Sequence, residues 1–354
     1  MVNQFVVCND WCCFSSCVKV FMREWKGLTV VIVGIARQGV ALARYLVSHG
    51  AKVILNDQRT YEEMKEAHVA LVDLEEYSTA ITWNCGGHPL EILDEADLVC
   101  VSGGVPLDLP LVAEAQRRCI PLSNDSQIFL DAAPCRVVGI TGSAGKTTTT
   151  TLVGRMTNEA VLNASIPSPY RKAWVGGNIG SPLIAVVDQM ETSDIAVMEL
   201  SSFQLEIMHS SPQVAAVLNI TPNHLDRHGT MQAYLEAKSQ ILAYQTDTDI
   251  AVISRDDPMA WSLHSSVKGQ LLSFGLSDLP AGGRGAFLRG ETIWIRQEEN
   301  KPIVSLSEIL LRGEHNLRNV MAACTLGVAA GLPLEAIRTG VLGFRGAPDR
   351  KSVV

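Results

Sequence analysis

From Gly27 onward the chain alternates short β-branched runs with amphipathic stretches. LTVVIVG (28–34) predicts a strand, and RQGVALARYLVSHG (37–50) predicts a helix that stops at Gly50. AKVILND (51–57) predicts a second strand and ADLVCVSGG (96–104) a later one. Such alternation predicts a parallel sheet covered by helices. AAPCR (132–136) reads as a connector into a fresh unit, where VVGIT (137–141), IAVMEL (195–200), AAVLNI (215–220) and IAVISR (250–255) predict further strands. Glycine-rich, short alternating runs over 267–307 predict a small antiparallel appendage, and NLRNVMAACTLGVAAGL (316–332) predicts a helix ending at a glycine. The fold class expected is therefore α/β, with an N-terminal Rossmann-like parallel-sheet domain at 26–134 and a second α/β domain at 135–343. Residues 1–25 are set aside as an extension, and 344–354 read as the start of a linker.

Composition narrows the classes. A chain of 354 residues, 47% hydrophobic and 19% charged, has ample core material for a soluble protein. At about 100–200 residues per domain, two or three domains are expected. The net charge of −8 argues against nucleic acid or an anionic membrane as the main partner. The apolar start lacks a basic leader and is broken by Asn9 and Asp10, so neither a secretory signal nor membrane insertion is expected. Cys8, Cys12, Cys13 and Cys17 lack C-x2-C spacing and a nearby histidine, which favours a plain extension over zinc, with Met22 as the natural start. Cys85, Cys100, Cys119, Cys135 and Cys324 stand in apolar stretches and read as buried free thiols of a reduced, cytoplasmic protein.

The strongest chemical signal is GITGSAGKTTTTT (139–151), a glycine loop between a predicted strand and a predicted helix. Backbone amides and the helix dipole favour an anion there. Gly142 and Gly145 permit close backbone approach, Lys146 can neutralise β/γ phosphates, and the Thr147 hydroxyl can ligate Mg²⁺. Ile140 stands where the longer nucleotide pattern needs a glycine. Glu199 ends an apolar strand, either as a satisfied core acid or as a metal ligand. In TPNHLDRH, His224 follows the strand directly and His228 lies deeper in the loop. Met231, Leu235, Lys238 and Leu242 fall on one helical face, so Lys238 points inward with apolar residues. Burial depresses an amine's pKa, and a neutral amine can take up CO₂ as a carbamate, an oxygen ligand suited to Mg²⁺; a snorkelling lysine is the plainer alternative. VGIARQG (33–39) with Asp57 has dinucleotide-like spacing, but its middle glycine is Ala36. Asn316 and Asn319, one turn apart after His315, can read an adenine edge or cap the helix.

TGSAGKTT resembles the short phosphate loop of the Mur ligases, which lacks the first glycine of the longer pattern. VGGNIGSPL (175–183), MELSSFQLE (198–206), LNITPNHLDRHGTMQAYLEAKSQI (218–241), GEHNLRNVMAA (313–323) and FRGAPDR (344–350) resemble that family in order. ELSSFQLE is similar to the members that add D-glutamate to UDP-N-acetylmuramoyl-L-alanine. The resemblance covers about residues 27–350 and implies a P-loop-type ATPase fold for the second domain.

By that resemblance, ATP is held by Gly142, Ser143, Ala144, Gly145, Lys146, Thr147 and Thr148, with His315, Asn316, Asn319 and Arg350 at the adenine end. Two Mg²⁺ ions are implied on Thr147, Glu199, His224 and a carbamylated Lys238. The UDP moiety is assigned to Arg37, Gln38, Gly39, Asp57, Gln58, Arg59, Ser102, Gly103 and Gly104, and the muramoyl-alanine part to Asn178, Gln204 and His224. Lys146, Glu199, His224 and Lys238 are the implied catalytic set of a monomeric bacterial ligase in peptidoglycan precursor synthesis. Ala144 replaces the family's usual Asn, Gln58 a frequent Thr, and PDR the usual PHR. The family's C-terminal domain, which binds D-glutamate, is expected to be missing, so the chain is expected to bind substrate yet ligate poorly. The rival readings are a sister Mur or folylpolyglutamate-type ligase, a nicotinamide dehydrogenase resting on 33–57, and a non-catalytic nucleotide-binding module.

Overall fold

The computed structural model describes residues 24–75, 80–178 and 180–347; the four N-terminal cysteines and Arg350 lie outside them. The chain divides into two compact units between Asp131 and Ala132.

The first unit is a five-stranded parallel sheet in the order β3-β2-β1-β4-β5. Its strands are β1 (Thr29–Val33), β2 (Lys52–Asp57), β3 (Ile81–Cys85), β4 (Leu98–Val101) and β5 (Leu122–Ser123). Val30 to Val33 of the central strand are buried without alternation, as a strand covered on both faces requires. The helix Arg37–Ser48 ends against Gly50, whose φ of +83° is the left-handed stop expected from the sequence. Strand order reverses between β1 and β4, so the loops after them open a crevice at the carboxyl edge of the sheet.

The second unit is a nine-stranded sheet, β14-β13-β12-β11-β10-β9-β6-β8-β7. β6 (Arg136–Thr141) lies between β8 (Ile195–Glu199) and β9 (Val214–Val217), with β7 (Ala173–Gly177) beyond β8 and β10 (Ile250–Ser254) beyond β9. The switch in strand order falls at β6, which carries the glycine loop. Val138, Ile140, Val197 and Ala216 of these strands pack with Leu152, Val153 and Met156 of the helix Lys146–Leu162 and Val320, Leu326 and Ile337 of the later helices.

The antiparallel strands expected over 267–307 are present, but they extend this same sheet. β11 (Gln270–Gly275) pairs in parallel with β10, β12 (Gly285–Arg289) in parallel with β11, and only β13 (Thr292–Arg296) and β14 (Asn300–Ser305) turn back. Among the five described cysteines, Cys100, Cys135 and Cys324 are buried as expected. Cys85 is half-buried, and Cys119 is exposed in a left-handed turn after the helix Pro110–Arg117. No helix of the described residues is long and apolar enough to cross a membrane.

Candidate active site

β6 ends at Thr141 and the next helix begins at Lys146, so four residues make the turn. Gly145 caps that helix at φ +84°, a region that L-residues avoid. A Cβ on Gly145 would fall on the side-chain amide of Asn319. The helix carries no acidic residue in its first turn, and its first amides have no intrahelical acceptor, which leaves a positive end facing the loop. The loop's earlier amides are already engaged. Ser143 N–H donates to the Asn219 carbonyl (2.9 Å), and Ala144 N–H donates to Asn219 Oδ1 (2.8 Å). Anion binding therefore belongs to the helix end rather than to the whole loop.

Two lysines converge on one carbonyl. Lys146 Nζ donates to Gly142 O at 2.8 Å and Lys238 Nζ to the same oxygen at 3.0 Å. Lys238 is 1% exposed and sits 4.6 Å from the Tyr234 ring. Burial, reinforced by the Lys146 charge and opposed by Glu199, pushes its ammonium down to about 7. The helix Met231–Ala243 thus turns Lys238 inward as its pattern predicts, though the buried face is Tyr234, Ala237, Lys238, Ile241 and Leu242. Met231 and Leu235 are only half-buried.

Glu199 is fully buried at the end of β8. Its Oε2 accepts from Thr147 Oγ1 (2.8 Å) and its Oε1 from Asn178 Nδ2 (2.9 Å). Both partners are neutral, and no ion pair reaches this carboxylate among the described residues. A buried carboxylate with a hydroxyl beside it and no bonded cation is a hard-oxygen donor set suited to Mg²⁺. Among the described residues, no three His, Cys, Asp or Glu side chains are grouped to hold an ion, so any metal needs Thr147 and further oxygens as well.

The other residues singled out in this unit divide. His224 is exposed in a left-handed cap (φ 54°), its ring edge-on to Phe203 at 5.2 Å, and no described bond brings it to Glu199. His228 stacks on the same Phe203 ring at 5.0 Å, with Nε2 2.9 Å from Ser202 Oγ; burial and the Lys238 charge hold its pKa down. Gln204 forms a reciprocal cap with Ser201, its Oε1 accepting Ser201 N–H at 2.9 Å, which is a structural task beside the substrate role expected of it. Asn319 lies against Gly145 and 3.4 Å from Asn316 Oδ1, while Asn316 Nδ2 ties back to Arg312 O (2.8 Å). His315 is exposed next to them, and Thr148 is half-buried on the helix.

In the first unit, three loops meet at the carboxyl edge. Ser102 Oγ donates to Gly34 O (2.7 Å), Gly39 packs on the Gly34 carbonyl, and Gly103 and Gly104 follow Ser102 into solvent. Arg37, Gln58 and Arg59 are exposed, and Gln38 is half-buried. Asp57 is not open to a ligand as the sequence suggested. Its Oδ2 accepts from Ile35 N–H and Arg59 Nη2 (both 2.8 Å), and its Oδ1 from Arg59 N–H (3.0 Å) and Nε (2.9 Å). Four donors saturate a carboxylate, so the acid that would take a ribose hydroxyl in a dinucleotide site instead braces the first loop to the second. Burial alone would raise its pKa, but the Arg59 guanidinium and the two amides outweigh it and hold the group at about 2. A depressed carboxylate stabilises above its unfolded value and loses that contribution as pH falls through the folded one. Asp57→Asn is therefore expected to cost about 1–2 kcal/mol at pH 7, after allowance for the half-exposed arginine. Thermal melts between pH 6 and about pH 2 should show the two proteins converging as the wild-type carboxylate protonates.

The Mur ligase middle-domain family matches residues 140–327, and the MurD-like N-terminal domain of Mur ligases matches 28–123. A UDP-N-acetylmuramoylalanine--D-glutamate ligase of Symbiobacterium thermophilum is 39% identical over 320 residues, covering 90% of this chain and 67% of the relative. One of the same name from Geobacillus kaustophilus is 38% identical over 334 residues, covering 94% and 70%. The chain belongs to the Mur ligase family. It spans about two thirds of the length of those relatives. In fold it is similar to the UDP-N-acetylmuramate:L-alanyl-gamma-D-glutamyl-meso-diaminopimelate ligase of Neisseria meningitides, at TM-score 0.59 and 17% identity, covering 91% of this chain and 99% of that one.

In this Mur ligase the loop carries Ala144 where the resemblance led to an Asn being expected, and its backbone is held from outside the loop. Asn219 holds both backbone groups of Ala144, and Ser143 Oγ lies 3.0 Å from Thr221 O and 3.1 Å from Tyr234 Oη. Neither Asn219 nor Tyr234 was singled out from the sequence. Tyr234 was legible as a neighbour of Lys238 on the helical period, whereas Asn219 lies 75 residues from its partner and left no local sign.

Proposed function

We propose that this Mur ligase joins D-glutamate to UDP-N-acetylmuramoyl-L-alanine at the expense of ATP, through an acyl phosphate on the L-alanyl carboxylate. The observation that carries the reading is the buried Glu199, bonded to Thr147 and set beside two lysines at a phosphate loop. Relatives 36–39% identical over about nine-tenths of the chain, all bearing the name of that ligase, support this choice of substrates.

The triphosphate would lie at the helix end, with Lys146 leaving the Gly142 carbonyl to meet its terminal phosphates. The alanyl carboxylate attacks the γ-phosphoryl group and ADP departs; the glutamate amine then attacks the acyl carbon and phosphate leaves. Thr147 and Glu199 would hold Mg²⁺, which when bound neutralises charge on the transferred group. Lys238, an inward amine depressed to about 7, is suited to attack CO₂ and, on losing a proton, to stand as a carbamate oxygen donor near that ion. Asn178 orients Glu199, and His224, held edge-on by Phe203, would serve the muramoyl end. The uridine diphosphate falls to the first unit, where Arg37 and the N-terminus of the helix Arg37–Ser48 offer an anion site without an acidic residue in the first turn.

Calorimetry on the chain tests this directly. UDP-N-acetylmuramoyl-L-alanine and MgATP should each bind, and NADH and folates should not. Binding of NADH in place of the UDP-sugar would overturn the assignment. Incubation with ¹³C-bicarbonate should give a carbamate resonance that Lys238→Arg abolishes.

A further inference from the structure

The pairing of β6 with β9 does not stop where the strands do. Leu218 N–H donates to Thr141 O (2.9 Å), and one step on, Ser143 N–H donates to Asn219 O (2.9 Å). There the backbone ladder hands over to a side chain. The Asn219 carboxamide faces the Ala144 peptide, with Oδ1 accepting Ala144 N–H at 2.8 Å and Nδ2 donating to Ala144 O at 3.0 Å. Ser143 Oγ completes the seam by accepting Thr221 N–H at 2.9 Å. Three backbone groups of the loop are thus fixed by one residue, and the loop carries no polar side chain at 144 to fix them otherwise.

We propose that Asn219 is a positioning residue for the nucleotide: it turns the Ser143 and Ala144 peptides away from the ligand and so aims the amides of Gly145 to Thr148 at the phosphates. The inference rests on the ATP-dependent reading above and adds a residue to it. An amide is required because the task needs an acceptor and a donor at one place. A carboxylate of the same size keeps the acceptor and sets a second oxygen against the Ala144 carbonyl. Asn219 itself lies outside the predicted ligand contacts, so its effect passes through the loop.

The test compares the unmodified chain with Asn219→Asp and Asn219→Ala, using MgATP and UDP-N-acetylmuramoyl-L-alanine as separate probes together with the melting temperature. Both variants should bind MgATP at least tenfold more weakly and UDP-substrate within twofold of the unmodified chain, with melting temperatures within about 4 °C, which is near 1 kcal/mol for a unit of this size. A parallel fall in both affinities together with a large loss of melting temperature would mark a merely structural residue and overturn the proposal. Unaltered MgATP affinity in Asn219→Asp would overturn it as well. If the unmodified chain itself fails to bind MgATP while UDP-substrate binds, the fault lies with the ATP-dependent reading, and the positioning role falls with it.

Discussion

Gly145→Ala is expected to weaken ATP binding at least a hundredfold and to lower the melting temperature by about 3–8 °C. Two independent causes act at the same atom. The residue caps the helix Lys146–Leu162 at φ +84°, where an L-side chain costs roughly 1–2 kcal/mol. The added methyl would also occupy the place of the Asn319 amide. Relief by backbone movement would rotate the first-turn amides, and those are the groups left to meet phosphate once Asn219 has engaged Ser143 and Ala144. Asn319→Ala in the same chain separates the causes. It should restore part of the stability lost to the clash, a coupling of about 0.5–3 kcal/mol for groups in contact, and leave the binding defect in place. Titration of a fluorescent ATP analogue beside thermal melts reads both.

The second large effect is at Lys238, and it has opposite signs in stability and function. Lys238→Met removes a buried amine while keeping an unbranched side chain in the slot beside Tyr234. The Gly142 carbonyl still receives Lys146 at 2.8 Å, so no acceptor is stranded. Melting temperature should hold or rise by about 2–4 °C, near 1 kcal/mol. The tightening of ATP binding by Mg²⁺ should disappear. Lys238→Arg divides the explanations, because it keeps a cation and cannot form the carbamate. Loss of the Mg²⁺ effect in both variants supports the carbamate, whereas full retention in the arginine form would assign Lys238 to charge alone.

Local pattern made the framework legible. Short β-branched runs marked β1, β2, β4, β6 and β8, because a parallel strand covered on both faces needs little beyond its own residues to declare itself. The glycine loop and Glu199 were legible for a related reason, since chemistry placed at the carboxyl end of such strands interrupts an otherwise apolar run. Lys238 stood out as a charge on an apolar stripe, although periodicity chose Met231 and Leu235 for a face that Tyr234, Ala237 and Ile241 in fact bury.

What stayed hidden depends on distant partners. The Ile35 amide that braces Asp57 lies 22 residues away, and nothing in the sequence shows that Arg59, two residues on, folds back onto the same carboxylate. Gln204 stood out because its motif is distinctive, but the cap its oxygen forms on Ser201, a task beside the expected substrate role, left no separate sign. The runs over 267–307 suggested an antiparallel appendage, which only β13 and β14 match; that β11 pairs in parallel with β10 is a matter of register between segments twenty residues apart. Asn219 was invisible for the same reason, its partner peptide being brought to it by the pairing of β6 with β9.

On the proposed function, Thr147 and Glu199, beside Lys146 and Lys238, hold a divalent ion against a triphosphate. Crystals grown with Mn²⁺ and a non-hydrolysable ATP analogue, measured for anomalous scattering from manganese, test it most directly. A peak in contact with Thr147 Oγ1, a Glu199 oxygen and the analogue's phosphates is expected. A well-ordered nucleotide whose manganese peak lies away from both side chains would contradict it.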